Sequence, residues 1–373
     1  GYSFLLFLPS IFGFLSFVLF WFLVKKLKFD NFWFSFAFVL SPVFVTFSFL
    51  AFRYGFVLCL ILAGLVFMLS KRFKWLGVLF FVFSGLSGLV SFVASVFFVL
   101  ALLILRPELR KWCFFILAFL FLILLADFFP PSVSYSFGFS EFFSDLGGLF
   151  GIGVFSLILS VMGVVFVWNM KSKFFYLFAL TLLFFVIAYF FPPLLVFGNV
   201  VLACLSGVAL SWLFKRRWKL KFLRSVSLLL IVCGLLFSSL SHVFVVADMM
   251  PANSFFDALG FGKGVVLSHE SYGFWIEFAG HPVVLDPLWK LLPDGQSLIN
   301  NIDLAFGSSD LRIVKRILKE YNVSFVLVTP QMMQGLVWEK QGQGMAFLLE
   351  NAKIFNKVFS KDGVVVWEVL NEE

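Results

Sequence analysis

The chain has 373 residues, 62% of them hydrophobic and 13% charged, with 60 phenylalanines; no single water-soluble core hides that much apolar surface, so lipid is the expected solvent for most of it. The formal net charge of +8 sits in short clusters between apolar runs, which reads as a membrane-orientation signal, and no nucleic-acid partner is expected. Residues 1–247 hold 5 of the 20 acidic residues and residues 248–373 the other 15, so a boundary near Ala247 is expected between a transmembrane helical domain (1–247) and a soluble α/β domain (248–373).

Apolar runs of spanning length, about twenty residues for a bilayer, cover Phe4 to Val24, Asn31 to Phe52, Tyr54 to Ser70, Trp75 to Leu105, Cys113 to Phe129, Phe150 to Trp168, Phe174 to Phe191, Leu194 to Phe214 and Ser225 to Val246. The run from Trp75 to Leu105 is too long for one helix, and its centre, Ser84-Gly-Leu-Ser-Gly-Leu89, predicts two short helices folded back on each other. About ten passes follow. Threading the basic clusters through this count, with Lys and Arg retained on the cytoplasmic side, puts 17 of the 18 basic residues before Ala247 inside and leaves only Arg53 outside. The same threading puts residues 130–149 and the C-terminal domain on the extracytoplasmic face, in the simplest case of a plasma membrane.

The outer loop from Pro130 to Leu149 carries Glu141 and Asp145 and no basic residue. It reads either as an amphipathic interfacial segment with solvated acids or as a ligand or metal site. Asp127 is an acid near the outer end of its helix, and Arg53 is suited either to pair with a lipid phosphate or to anchor at the headgroups. Cys59, Cys113, Cys204 and Cys233 all fall within or beside apolar runs without paired spacing and read as packing thiols.

After Pro251 strands and helices alternate. Gly264 to Ser268 and Pro282 to Asp286 read as short buried strands, and Ser308-Ser-Asp310 opens a helix with Leu311, Val314, Ile317 and Leu318 on its apolar face. Val323 to Thr329 is the clearest buried strand; a helix from Gly344 to Asn351 precedes a hairpin of Phe355 to Ser360 and Gly363 to Leu370. The first loop is the densest polar cluster of the chain, with His269, Glu270, Glu277, His281 and Asp286. Such a set suits a divalent ion or proton handling, or equally a strand-end loop held by Asp286 and the aromatic rings. Gly260 to Gly264 lacks the Lys-Ser/Thr ending of a phosphate loop and reads as a turn, and the Asn322-Val-Ser324 sequon joins a helix to a buried strand, where a glycan fits poorly.

The stretch Ser268-His-Glu-Ser-Tyr-Gly-Phe-Trp-Ile276, followed by Ala279-Gly-His-Pro-Val-Val-Leu-Asp286, resembles the start of the extracytoplasmic domain of oligosaccharyltransferase catalytic subunits, glycosyltransferases of the GT-C superfamily. That family's loop reads Trp-Trp-Asp-Tyr-Gly, then an Ile and an Ala-x-Arg-x-x-x-x-Asp segment. Tyr272, Gly273, Ile276, Ala279 and Asp286 match, whereas Ser268 to Ser271 do not reproduce the Trp-Trp-Asp part. Four expected passes separate the Ser132-Val-Ser134 loop from the soluble domain, as in the family; Tyr135 stands where an acid is usual, and Phe49 to Gly55 holds none of the family's carboxylates.

The resemblance implies a membrane glycosyltransferase with a polyprenyl- or dolichyl-phosphate-linked sugar donor and a protein or lipid-glycan acceptor. Glu141 and Asp145 would be catalytic acids, Arg53 would bind the donor phosphate, and His269, Glu270, Tyr272, Gly273, Trp275 and Asp286 would form the acceptor and motif loop. The first run travels from outside to inside, like a second helix of the family, which implies a first helix and a first external loop with the catalytic Asp before Gly1. A divalent cation, Mg or Mn, would draw on Glu141, Asp145 or His269. The alternative is a catalytically inactive scaffold or assembly subunit of the same fold; a transporter would need paired halves, and no inverted repeat is visible.

Overall fold

The computed structural model describes residues 2–49, 53–70, 72–125, 142–146, 148, 150–168, 171–249, 253–260, 262–286, 289, 295–340, 342–351 and 353–370. The chain divides into two compact units, Gly1–Met250 and Pro251–Glu373.

The first unit is helical: α1 (Tyr2–Lys26), α2 (Asn31–Val39), α3 (Pro42–Phe49), α4 (Arg53–Met68), α5 (Lys74–Leu86), α6 (Leu89–Leu105), α7 (Arg110–Leu125), α8 (Val154–Val167), α9 (Lys171–Phe190), α10 (Leu195–Lys215) and α11 (Lys221–Met249). Among the described residues three helices are long and apolar enough to cross a membrane, or up to five if each of two bent pairs counts as one span. Phe237 and Phe244 are each 72% exposed and Leu125 65%, a surface suited to acyl chains and not to water.

The long run from Trp75 to Leu105 does divide in two, at Ser87-Gly88, with Gly88 at φ 132°, where a side chain would be strained. Across this break the Ser84 and Ser95 hydroxyls lie 2.7 Å apart, tying α5 to α6. The run from Asn31 to Phe52, expected as one pass, bends by 65° between α2 and α3. Pro42 causes it: Pro has no N–H for the helix ladder, disfavours helix in the residue before it, and opens a new helix, while Ser41 Oγ accepts the Phe44 N–H at 3.1 Å.

At one end of the unit Lys26 Nζ donates to the Val66 carbonyl of α4 at 2.8 Å, Lys215 pairs with Asp30 at 3.1 Å, and the Trp33 and Phe214 rings stack at 3.6 Å. The C-terminal ends of α1, α4 and α10 therefore lie together. At the other end Ser10 Oγ donates to the Ser48 carbonyl and His242 Nε2 lies 2.8 Å from Thr46 Oγ1.

The second unit holds α12 (Asn253–Ala258), α13 (Gly273–Phe278), α14 (Gly295–Gly307), α15 (Leu311–Glu320), α16 (Met345–Leu348) and strands β1 (Val265–Leu267), β2 (Val323–Val328), β3 (Phe355–Lys361) and β4 (Val364–Val369), in the order β1-β2-β4-β3. β1 runs parallel to β2; the β2–β4 and β4–β3 pairs are antiparallel. The near-continuous apolar run of β2 suits its central place, with Phe325 to Val328 all buried. The β3–β4 turn has Asp362 at φ 50° and Gly363 at φ 78°, as a tight hairpin requires. α15 is capped by Asp310, whose carboxylate accepts the Arg312 N–H at 2.9 Å, and buries Val314, Ile317 and Leu318.

Two sequence expectations change here. Residues 282–286 form a single bridge, Val266 to Val283, and not a strand, because Pro282 has no N–H to extend the ladder. The loop between them contains α13, and α14 precedes the helix expected after Ser308.

Candidate functional site

Because β1 and β2 are parallel, their carboxyl ends open on one edge of the sheet, where α/β folds commonly place a ligand. Ser268, at the end of β1, is fully buried, and its hydroxyl donates to the Leu327 carbonyl at 3.0 Å. The chain then leaves the sheet as a short 3-10 turn, Glu270–Tyr272, capped by His269. His269 Nδ1 accepts the Ser271 N–H at 3.3 Å and lies 2.8 Å from Ser271 Oγ, so the ring carries its proton on Nε2. Partial burial holds the imidazole below its ordinary value, opposed by the charges of Glu270 and Asp303.

Glu270 accepts the Trp289 indole N–H. Tyr272 donates its hydroxyl to Gln331 Oε1 at 3.2 Å, from the other parallel strand's end, and its ring tilts against Phe255 at 5.5 Å. Burial raises the Tyr272 phenol, opposed by its hydrogen bond with Thr329, and keeps it a donor. The strand ends thus gather an imidazole, a carboxylate with its indole, a phenol and an amide: groups that hold a hydroxyl or amide ligand by hydrogen bonds.

Gly273 and Asp286 are brought together. A Cβ on Gly273 would lie 2.6 Å from both Asp286 Cα and Leu285 O, so only Gly allows α13 to start against the returning chain. Burial, then the Asp286 charge, raises the Glu277 carboxyl above its usual value. Trp275 packs at 6.0 Å on Phe256 of α12; His281 is buried with Nε2 at 2.8 Å from the Leu259 carbonyl. Both support the fold of the loop.

The sign of the His269 shift gives a test. Its folded value lies below the model-peptide 6.5, so the unfolded chain binds the proton first as pH falls. Its stabilising contribution is complete above about pH 6.5 and is lost as pH falls through the depressed folded value. We expect the melting temperature of the C-terminal unit in the intact protein to fall between pH 7 and 5. His269→Asn, which can keep the cap to Ser271, should fall less; parallel melting curves would refute the assignment.

In the helical unit Asp145 stands in a short 3-10 turn, Ser144–Leu146. Its Oδ2 accepts the Val154 N–H at the start of α8 at 2.6 Å, and its Oδ1 accepts the Ser238 hydroxyl of α11 at 2.6 Å. A carboxylate at a helix N-terminus compensates an orphan donor and the helix dipole. Asp145→Ala should therefore lower stability by about 1 kcal/mol, read as a fall in Tm of the detergent-purified protein, while Asp145→Asn, keeping one acceptor, should cost less. Glu141, Asp127 and residues 132–135 lie outside the described residues, as does the Arg53 side chain.

Among the described residues no three His, Cys, Asp or Glu side chains converge on a metal position. With Asp145 doubly engaged and His269 accepting through Nδ1, the described donor set does not fit a cation, and no step is assigned to one. Sequence reasoning missed Gln331, Thr329, Trp289 and Asp303; only the Thr329-Pro330 stop of β2 signalled a turn beside the loop.

No protein-family profile and no curated protein sequence matches the chain. Among solved structures it is similar to the oligosaccharyltransferase of Archaeoglobus fulgidus: the complex with Zn and sulfate at 15% identity and TM-score 0.50, covering 98% of this chain and 61% of that one. The apo form matches at 15% identity and TM-score 0.48, covering 98% and 63%. A complex of the same archaeal enzyme, AglB, with an inhibitory peptide and a dolichol-phosphate matches at 14% and 0.46, covering 98% and 63%. The chain spans under two thirds of the length of these neighbours. It carries a fold like that of this archaeal oligosaccharyltransferase.

Proposed function

We propose that the chain is an integral membrane glycosyltransferase that moves a sugar or glycan from a polyprenyl- or dolichyl-phosphate-linked donor to a protein or lipid-glycan acceptor on the extracytoplasmic face. The observation that carries this reading is the Tyr272-Gly273 turn seated against Asp286 at the parallel strand ends, on a chain with the oligosaccharyltransferase-like fold. His269, Glu270 and Tyr272 hold the acceptor by hydrogen bonds, and Asp286 fixes the start of α13. Arg53 neutralises the donor phosphate as it leaves the anomeric carbon, and Glu141 and Asp145 shape the outer loop. The helical unit crosses the membrane in about ten passes, several of them short, with its basic loops on the cytoplasmic side.

Membranes containing the chain, given a polyprenyl-phosphate donor with a radiolabelled sugar and either a peptide or a glycolipid acceptor, should label one acceptor class. Tyr272→Phe and Asp286→Ala should each lower the rate roughly tenfold, about 1.4 kcal/mol in the barrier. A chain that labels neither acceptor, from either the phosphate- or pyrophosphate-linked donor, would be the scaffold of the second reading. The double engagement of Asp145 in tying α8 to α11 favours that second reading.

A further inference from the structure

The link between α10 and α11 is the most basic stretch of the chain: Lys215, Arg216, Arg217, Lys219, Lys221 and Arg224, with no acid among residues 215–224. The structure divides these cations by role. Lys215 pairs with Asp30 at 3.1 Å, and an Arg224 N–H donates to the Phe214 carbonyl at 3.2 Å. Arg216 lies over the rings of Trp212 at 4.8 Å and Trp218 at 5.6 Å, and Trp218 Nε1 is fixed on the Leu213 carbonyl at 3.1 Å. Arg217, Lys219 and Lys221 are exposed, and their side chains have no hydrogen bond or ion pair among the described residues.

Between and beside these three cations stand apolar side chains turned outward: Leu220 is 65% exposed, Phe222 79% and Leu223 51%. Other cations join the same end, since Lys26 reaches the Val66 carbonyl and Asp30 holds Lys215; Lys25, Lys28 and Arg72 are exposed there. Orientation in a membrane requires positive charge in this link, yet it does not require unpaired cations to alternate with large exposed apolar residues. That alternation matches the boundary of a lipid leaflet, where the rings and Leu side chains enter the acyl region and the cations meet phosphates.

We propose that the segment Lys215–Arg224 is a binding site for anionic phospholipid headgroups. Arg217, Lys219 and Lys221 contact the phosphates, Arg216 is held ready between two indoles, and Leu220 and Phe222 insert among the acyl chains. The partner is chosen by charge complementarity: a leaflet of zwitterionic lipid offers no net charge to oppose this cluster. The inference rests on the chain's residence in a membrane and is independent of any transfer chemistry.

The test uses the full chain purified in a neutral detergent, with phosphatidylglycerol and phosphatidylcholine of matched acyl chains added in equal amounts, and lipid adducts counted by native mass spectrometry. Phosphatidylglycerol adducts should exceed phosphatidylcholine adducts at least tenfold. The triple variant R217Q/K219Q/K221Q should bring the ratio close to one with an unchanged melting temperature. The R217K variant should keep the preference, and the L220S/F222S variant should reduce both lipids alike. Equal retention by the unmodified chain, or a triple variant that keeps its preference, overturns the proposal. So does displacement of phosphatidylglycerol by millimolar inorganic phosphate, which would make this a site for the free anion. Should the triple variant fail to fold, R217Q alone must lower the ratio at least twofold.

Discussion

Replacing Gly163 by Leu is expected to lower the melting temperature of the detergent-purified chain by about 10 °C, at a cost of roughly 3–5 kcal/mol. The reason is the seam between α8 and α10. Ser156, Ser160 and Gly163 follow one another at helical spacing on one face of α8, and both serines are buried. Ser160 Oγ lies 2.9 Å from Ser206 Oγ and 3.1 Å from the Leu202 carbonyl, while Ser206 Oγ lies 3.0 Å from the Ser156 carbonyl. These bonds require the two backbones to approach closely, and the closest point is Gly163, where a Cβ would stand 2.1 Å from the Leu205 carbonyl oxygen. In lipid, helices gain little from apolar contact alone, so small residues and interhelical hydrogen bonds hold them together. A Leu at 163 separates the helices and breaks the serine contacts with them. Val161→Leu, at a position of the same helix that is 56% exposed, should leave the melting temperature within a degree or two. Equal melting of both variants would mean that α8 does not meet α10 through this face.

The division of the chain was legible because it rests on properties that add over many residues. Apolar runs became helices, the Gly-rich centre of the run from Trp75 became a break at Gly88, and the continuous apolar stretch of β2 became one of the two inner strands. The helix after Asp310 was legible from its cap and its apolar face, the same residues that are buried. The bend at Pro42 had a local signal too, a Ser-Pro step, but it sat inside an apolar run that overrode it. α13 was missed because six residues, Gly273 to Phe278, are too few to show a period.

The site was legible only where the pattern was local. Tyr272, Gly273 and Asp286 stood out within one loop, yet their partners did not: Gln331 is 59 residues from Tyr272, and Ser238 is 93 from Asp145. Nothing in the spacing of a lone Ser on an apolar helix identifies the carboxylate it holds. Asp145 was selected in the sequence as an acid in a polar loop, and that composition does not distinguish an acid that caps a helix from one that meets a substrate. The geometry draws the distinction through the Val154 N–H and the Ser238 hydroxyl, which use both of its oxygens.

Gly273→Val should cost the C-terminal unit about 3 kcal/mol and move the candidate loop as well. The atoms that a Cβ at 273 would meet are backbone: Asp286 Cα and Leu285 O, both at 2.6 Å. They cannot give way as a flexible side chain would, since Leu285 is buried and the preceding residues are bridged to β1, with Val266 N–H donating to the Pro282 carbonyl at 2.8 Å and Val284 N–H to the Val266 carbonyl at 3.1 Å. The start of α13 must therefore shift, carrying Tyr272 away from Gln331. Tyr272→Phe removes only the hydroxyl's hydrogen bonds, to Gln331 at 3.2 Å and with Thr329, an effect of about 1 kcal/mol, and leaves the ring against Phe255. The expected order is thus Gly273→Val far more sensitive than Tyr272→Phe to limited proteolysis within residues 251–373 of the intact protein. If Gly273→Val resisted proteolysis as well as the unmodified chain, the close approach of α13 to Asp286 would be refuted. If Tyr272→Phe were the more sensitive of the two, the hydroxyl and not the glycine would be what holds the loop.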